Sequence, residues 1–354
     1  MSSKVLIDLG KLKNPYSGLG QFSFFFGKHI SNMPKESLFW NFLTPDEYVD
    51  QFGIKWNYEK LTLKRRFFPG LCNKYDLWHA IHQDSAYMPS NRSTPYILTI
   101  HDLNFLEEKS QGSASRRLKS LQNKVNRATA ITFISNYSAS IAKKHLKMEG
   151  KETHIIHNGV DIDTTEEFHK PQYLPEGKFL FTIGMILKKK NFHVLIDFIE
   201  QLPDYNLIIA GDDSDSYANY IRKLIHGKSM EHRVILPGII SNHDRTYLYQ
   251  NCTAFLFPSL MEGFGFPIIE AMRFGKPAFI STSSSLPEIG GDMAYYWDNF
   301  NPNSMKEVFL DNLKNYLLDQ PMLSKRIIEY SMQFNWEYSI EKYISLYKKI
   351  LNVH

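Results

Sequence analysis

Pro258-Ser259-Leu260-Met261-Glu262-Gly263-Phe264-Gly265-Phe266-Pro267-Ile268-Ile269-Glu270-Ala271-Met272 is the stretch that decides how this chain folds. The apolar run Ala254–Phe257 precedes it and has the length and make-up of a buried strand. Gly263 and Gly265 let backbone N–H groups come close to a ligand. Pro267 suits the first turn of a helix and Gly275 suits its C-terminal end. The string therefore reads as strand, loop and helix, with a helix N-terminus open to phosphate oxygens at a strand's C-terminal end. Glu262 falls in the loop and Glu270 about one turn into the helix. Two carboxylates so spaced can accept hydrogen bonds from separate sets of hydroxyls, one on a sugar and one on a ribose.

The same alternation extends in both directions. Short apolar runs at 5–9, 38–43, 76–80, 96–100, 130–134 and 154–156 fill the first half. Runs at 179–183, 206–210, 233–236, 254–257, 278–280 and 294–297 fill the second. Continuous apolar runs bounded by Gly, Pro or Asp are what parallel strands covered on both faces require. Helical spacing lies between them, as in Phe22, Phe25, Phe26, His29 and Ile30. This is an α/β pattern met twice. The polar segment 161–177, with Pro171 and Pro175, marks the seam. The expected domains are residues 1–165, 166–335 and 336–354, the last a C-terminal helix packing back on the first.

Bulk properties agree with two domains, since 354 residues exceed one ordinary core of about 150. A net charge of +4 excludes a general polyanion binder. Cys72 and Cys252 are the two cysteines, which excludes a disulfide scaffold and a Cys-rich zinc site and fits a reducing cytoplasm. No apolar run approaches the roughly 18 residues of a spanning helix. Charge is nevertheless uneven: between Lys109 and Lys151 stand ten Lys/Arg and one acid, Glu149, and Lys64-Arg65-Arg66 adds a second cluster. Such a surface either faces water or holds a peripheral protein to the anionic inner face of a membrane. No nucleic-acid motif accompanies it.

Further motifs sit at strand ends. Phe181-Thr182-Ile183-Gly184-Met185 runs into Lys188-Lys189-Lys190-Asn191, with a helix expected from about Asn191. Fixed cations there can stabilise negative charge on a bound anion without a metal ion. Asn14-Pro15-Tyr16-Ser17-Gly18-Leu19-Gly20 follows the opening strand, His101-Asp102 ends the run 96–100, and Ser135-Asn136 follows the run 130–134.

Taken together, the Glu262-to-Glu270 string, the glycine turn before Lys190, Gly238, Ser285-Leu286-Pro287-Glu288, His157-Asn158-Gly159, Gly18-Leu19-Gly20 and His101-Asp102 resemble the family 4 glycosyltransferases. The resemblance spans nearly the whole chain. It implies the GT-B fold: α/β, with two Rossmann-like doubly wound domains facing a central cleft, 1–165 on the acceptor side and 166–335 on the donor side. It implies a retaining, metal-independent hexosyltransferase with no cofactor, taking a nucleotide sugar to a glycan or lipid-linked glycan. By resemblance His101, Lys190 and Glu262 carry the chemistry. Gly18, Gly20, Gly184, Lys189, Lys190, Gly238, Ile239, Glu262, Gly263, Phe264, Gly265 and Glu270 hold the donor, with the base beside Gly238–Ile240. Two positions depart from the family pattern. Lys189 stands where many members have arginine, and Met185 where some have a phosphate-binding arginine; lysine lacks the bidentate fork. The wording is similar to that of bacterial polysaccharide mannosyltransferases and favours GDP-mannose, with UDP-hexoses as the other donor class. A GT-B epimerase, a phosphorylase and a non-catalytic nucleotide-sugar binding protein are the alternatives.

Overall fold

The apolar runs become two all-parallel sheets. The structure, a computed structural model, describes residues 2–15, 17–33, 37–67, 74–162 and 169–353. Tyr16, Cys72, residues 163–168 of the expected seam and the Arg65 side chain lie outside the described residues. The chain divides into two units: Met1–Gly159 with Phe334–His354, and Val160–Gln333. The seam expected at 165/166 falls a few residues after the passage between units, which is at Gly159/Val160.

In the first unit β1 (Ser3–Asp8), α1 (Gly18–Asn32), β2 (Leu38–Thr44), β3 (Asn57–Lys60), α2 (Leu63–Phe67), β4 (Leu77–Ala80) and β5 (Tyr96–Ile100) follow in order. Then come α3 (Phe105–Glu108), α4 (Gln111–Arg127), β6 (Ala130–Phe133), α5 (Asn136–His145) and β7 (Glu152–Ile155). The sheet order is β3-β2-β1-β4-β5-β6-β7. The middle strands are apolar because both faces are covered: Val5, Leu6 and Ile7 are fully buried, with Val5 beside Trp40 on one side and Leu77 on the other. β3 is absent from the sequence reading. Its residues, Asn-Tyr-Glu-Lys, are polar because it is an edge strand with an exposed flank.

The second unit holds β8 (Lys178–Ile183), α6 (Val194–Glu200), β9 (Tyr205–Ala210), α7 (Ser216–Gly227), β10 (Val234–Gly238), α8 (Asn242–Asn251) and β11 (Ala254–Phe257). After them come α9 (Phe266–Arg273), β12 (Ala278–Ser281), α10 (Leu286–Gly290), β13 (Ala294–Trp297), α11 (Pro302–Leu318) and α12 (Gln320–Ser331). Its order, β10-β9-β8-β11-β12-β13, repeats that of the first six strands of the first sheet and is the Rossmann order 3-2-1-4-5-6. One expectation is corrected. The helix after the lysine cluster begins at Val194, not near Asn191, because Asn191 takes a left-handed conformation (φ 59°) that no helix continues.

The last helix, α13 (Trp336–Leu351), belongs to the first unit. Trp336 lies against Phe22, Phe25 and Phe26 of α1. Gly159 faces its backbone so closely that a Cβ there would stand 2.3 Å from Trp336 N. Three turns further on, Tyr347 Oη meets His79 Nδ1 at 2.5 Å, while His79 Nε2 meets Thr99 Oγ1 at 2.8 Å. Burial pushes the His79 imidazole down to about 3, so it stays neutral inside this network.

Candidate functional site

In a doubly wound sheet the ligand crevice opens where the strand order reverses, beyond the strands' C-terminal ends. In the second unit that point lies between β8 and β11. Both strands empty into loops that carry the sequence motifs. Leu260 N donates to the Lys189 carbonyl (2.8 Å), and Ser259 Oγ reaches the same oxygen at 3.3 Å, so the two loops are tied together. Lys190 Nζ then donates to Glu262 Oε1 at 2.5 Å, and Ser259 Oγ donates to that oxygen at 2.7 Å. The Lys190 and Glu262 side chains are 12% and 15% exposed. Lys190 also sits 5.0 Å over the Phe257 ring. Glu262 is fixed at its backbone as well: its N–H donates to Ser284 Oγ (3.0 Å) and its carbonyl accepts from Ser285 Oγ (3.0 Å). Its second oxygen takes no protein hydrogen bond among the described residues.

Gly184, Gly211 and Gly238 end the three adjacent strands β8, β9 and β10. Gly184 N donates to Ala210 O and Gly211 N to Gly238 O. A Cβ on Gly211 (φ 132°) would stand 2.0 Å from the Gly184 carbonyl, so this floor admits glycine alone. Ile239, just beyond it, is 63% exposed and open to a flat partner, and Met185 is 41% exposed. Gly265 is the N-cap of α9 and no side chain caps that helix; Phe264 before it is buried, its carbonyl accepting from Ser285 Oγ. Gly263 continues the same loop.

Glu270 is held apart from the Lys190–Glu262 pair. Its Oε2 accepts from Tyr249 Oη (2.7 Å) and its Oε1 lies 3.5 Å from Arg245. Burial, then the Glu270 charge, push the Tyr249 phenol well above its usual range and keep it a donor. Both carboxylates of the opening string thus have a cation and a hydroxyl beside them.

In the first unit the reversal lies between β1 and β4. Ser17 caps α1 by accepting from Gly20 N (3.1 Å), and a Cβ on Gly20 would stand 2.0 Å from Asn14 O. Gly18, by contrast, has open space around it. His101, at the end of β5, is buried; its Nε2 donates to the Ile81 carbonyl (2.8 Å), and Phe22 packs edge-on at 4.6 Å. Burial pushes its imidazole down to about 4, against the raising effect of the Ile81 contact, so the ring is neutral with Nδ1 as acceptor. Ser135 serves as the N-cap of α5, accepting from Ser138 N (3.0 Å).

Sequence motifs did not single out Ser284, Arg245, Tyr249 or Gln83. The serine run 283–285 was a signal for Ser284; Gln83 and Arg245 have no local one. The ten cations between Lys109 and Lys151 also divide. Arg117 pairs with Asp84 (2.6 Å), Lys124 Nζ donates to Gln83 O (2.7 Å), Arg127 binds the Asn91 and Thr94 carbonyls, and Lys151 binds those of Asn126 and Ala128. Lys109, Arg116, Lys119, Lys143, Lys144 and Lys147 are exposed. No described helix is long and apolar enough to cross a membrane.

Two doubly wound parallel sheets, the second carrying a carboxylate pair and a lysine at its switch point, define a GT-B protein. Residues 49–164 match the family described as Glycosyltransferase Family 4, and residues 163–334 that described as Glycosyl transferases group 1. Both matches are to glycosyltransferase models, and the chain is a glycosyltransferase, a transferase enzyme. It is similar to the O-antigen chain mannosyltransferase B of Escherichia coli, at 24% identity over 397 residues covering 98% of this chain and 99% of that one. Among solved structures, sucrose-phosphate synthase from Thermosynechococcus elongatus superposes with a TM-score of 0.73 at 17% identity, covering 99% of each chain. Anabaena HepE in complex with UDP and glucose gives 0.71 at 17%, covering 98% of this chain and 99% of that one.

Proposed function

We propose that this glycosyltransferase transfers a hexose, mannose in the favoured case, from a nucleotide sugar to a glycan or lipid-linked glycan with retention at the anomeric carbon. The observation that carries the donor reading is the Lys190–Glu262 pair at the β8/β11 switch point. A diphosphate arriving there meets a fixed ammonium and the uncapped N-terminus of α9, which together offset the charge that develops as the sugar leaves. Metal independence is proposed on the same ground. Glu262, with one oxygen free of protein hydrogen bonds, accepts the sugar hydroxyls, and Glu270 accepts those of the ribose. The base lies along Gly238 and Ile239. His101 is assigned to the transferring sugar, as a neutral acceptor. Mannose is favoured because a relative matched over its whole length is a mannosyltransferase of O-antigen chains. The exposed lysines of α4 and α5 would support peripheral attachment to anionic lipid at a cytoplasmic face.

A thermal-shift panel of GDP-mannose, UDP-glucose, UDP-galactose and the free diphosphates, each with and without EDTA, tests this. GDP-mannose is expected to raise the melting temperature most, with no effect of chelation. Stabilisation by UDP-sugars instead would overturn the base, and loss of the shift in EDTA would overturn metal independence.

A further inference from the structure

The turn after β5 that carries His101 is gripped by the loop that follows β4. Gln83 is buried, and its carboxamide spans the turn: Oε1 accepts from the His101 backbone N–H and Nε2 donates to the Asp102 carbonyl, both at 3.0 Å. One primary amide therefore holds both ends of the peptide segment between those residues. Two residues earlier in the same loop, the Ile81 carbonyl accepts from His101 Nε2. The loop itself is anchored from behind. Lys124 of α4 donates to the Gln83 carbonyl at 2.7 Å, and the neighbouring Asp84 pairs with Arg117 and Lys11. His101 is thus fixed at its main chain by a side chain and at its ring by a main chain, both from residues 81–83.

We propose that Gln83 is a positioning residue for the transfer reaction: its carboxamide sets the place of the His101 peptide and so keeps the ring seated on the Ile81 carbonyl, with Nδ1 turned outward as a hydrogen-bond acceptor. This rests on the role given to His101 above. Leucine at 83 keeps the volume and removes both hydrogen bonds. Glutamate keeps the acceptor for the His101 N–H and removes the donor to Asp102. A ring that loses its seat on Ile81 loses its tautomeric preference, because the neutral imidazole then has no fixed acceptor for its proton. Displacements of this order in a supporting residue cost about 10- to 100-fold in turnover without weakening ground-state binding.

The experiment compares Gln83→Leu, Gln83→Glu and His101→Ala with the unaltered chain. Nucleoside diphosphate release is followed from whichever of GDP-mannose and the UDP-hexoses stabilises the protein, with kcat and donor KM separated. The His101 ring is observed by ¹⁵N NMR in histidine-labelled protein. For Gln83→Leu the expected result is a kcat lowered about 10- to 100-fold, donor KM within about twofold, and averaged ring ¹⁵N shifts in place of the Nε2-protonated pattern. Gln83→Glu should fall between. Unchanged ring shifts, or a loss confined to KM, would overturn the proposal. If Gln83→Leu does not fold, Gln83→Glu decides by the same two readouts. Wild-type turnover in His101→Ala would instead remove the role of His101, whatever the Gln83 variants do.

Discussion

Lys190 Nζ and Glu262 Oε1 stand 2.5 Å apart in a nearly closed corner of the second unit, and each cancels the other's charge. A lysine so paired is only partly available to a phosphate. Under the donor reading proposed above, a bound diphosphate would have to loosen the pair, leaving the carboxylate to turn its other oxygen toward a sugar hydroxyl. One contact would then couple the two halves of a nucleotide sugar, phosphate on the lysine and hydroxyl on the glutamate.

Glu262→Gln separates these effects. The amide keeps the volume and still accepts from Ser259, but frees Lys190. Turnover is expected to fall about 100-fold, the cost of removing one contact that matters in the transition state. Affinity for the bare diphosphate should rise several-fold as the lysine loses its counter-charge. Calorimetry with GDP or UDP alongside turnover checks both, and unimpaired turnover would sink the role given to Glu262.

Acid should destabilise the first unit before it touches the ion pairs on the surface. Burial holds His79 at about 3, His101 at about 4, and His82 well below its usual value, against about 6.5 in an unfolded chain. The unfolded state binds these protons first, so stability is complete above about pH 6.5 and declines toward pH 4, by up to about 1.4 kcal/mol per pH unit for each histidine. Asp84, held low by Arg117 and Lys11 despite burial, acts in the same direction; Asp8, raised by burial, opposes. Melting curves from pH 4 to 8 should show this slope, flatter in His101→Gln.

Gly18 and Gly20 share a helix end but not a constraint. Gly20→Ala drives a methyl into the Asn14 carbonyl and should cost about 1–3 kcal/mol. Gly18→Ala meets nothing within 4 Å and should be neutral or slightly stabilising. Paired denaturation midpoints decide, and equal losses would contradict the geometry.

The basic face can be dissected in the same way. Replacing Lys143, Lys144 and Lys147 together by glutamine should weaken co-sedimentation with anionic phospholipid vesicles, by about 1 kcal/mol per charge. Arg127→Gln should leave vesicle binding unchanged and lower the melting temperature, because its guanidinium holds the Asn91 and Thr94 carbonyls. Equal vesicle binding by the triple variant would argue against attachment through this face.

The sequence made much of this legible where local chemistry and fold coincide. Ala254–Phe257, the glycines after it and Pro267 specify strand, loop and helix without tertiary help, and β11 and α9 follow. The edge strand β3 escaped because Asn57-Tyr58-Glu59-Lys60 has one flank in solvent and no apolar signature. The start of α6 was misplaced because Asn191 follows a lysine run with good helical propensity, yet turns left-handed. Gln83 and Arg245 could not be found at all. Their partners lie about 18 and 25 residues away, and a lone Gln or Arg in a loop or on a helix carries no periodicity. Lys124 and Arg117 looked like solvated charge for the same reason.

The return of α13 to the first unit has a consequence for biosynthesis. The ribosome starts that unit first but cannot finish it until the other has been made entire. Until Trp336, Tyr343 and Tyr347 emerge, Phe22 and Phe26 lack part of their cover and His79 lacks its phenol partner. The second unit, unbroken from Val160 to Gln333, can mature while its neighbour waits. A nascent chain halted short of residue 336 would thus carry a finished second unit while the first still presented an aromatic surface to a chaperone.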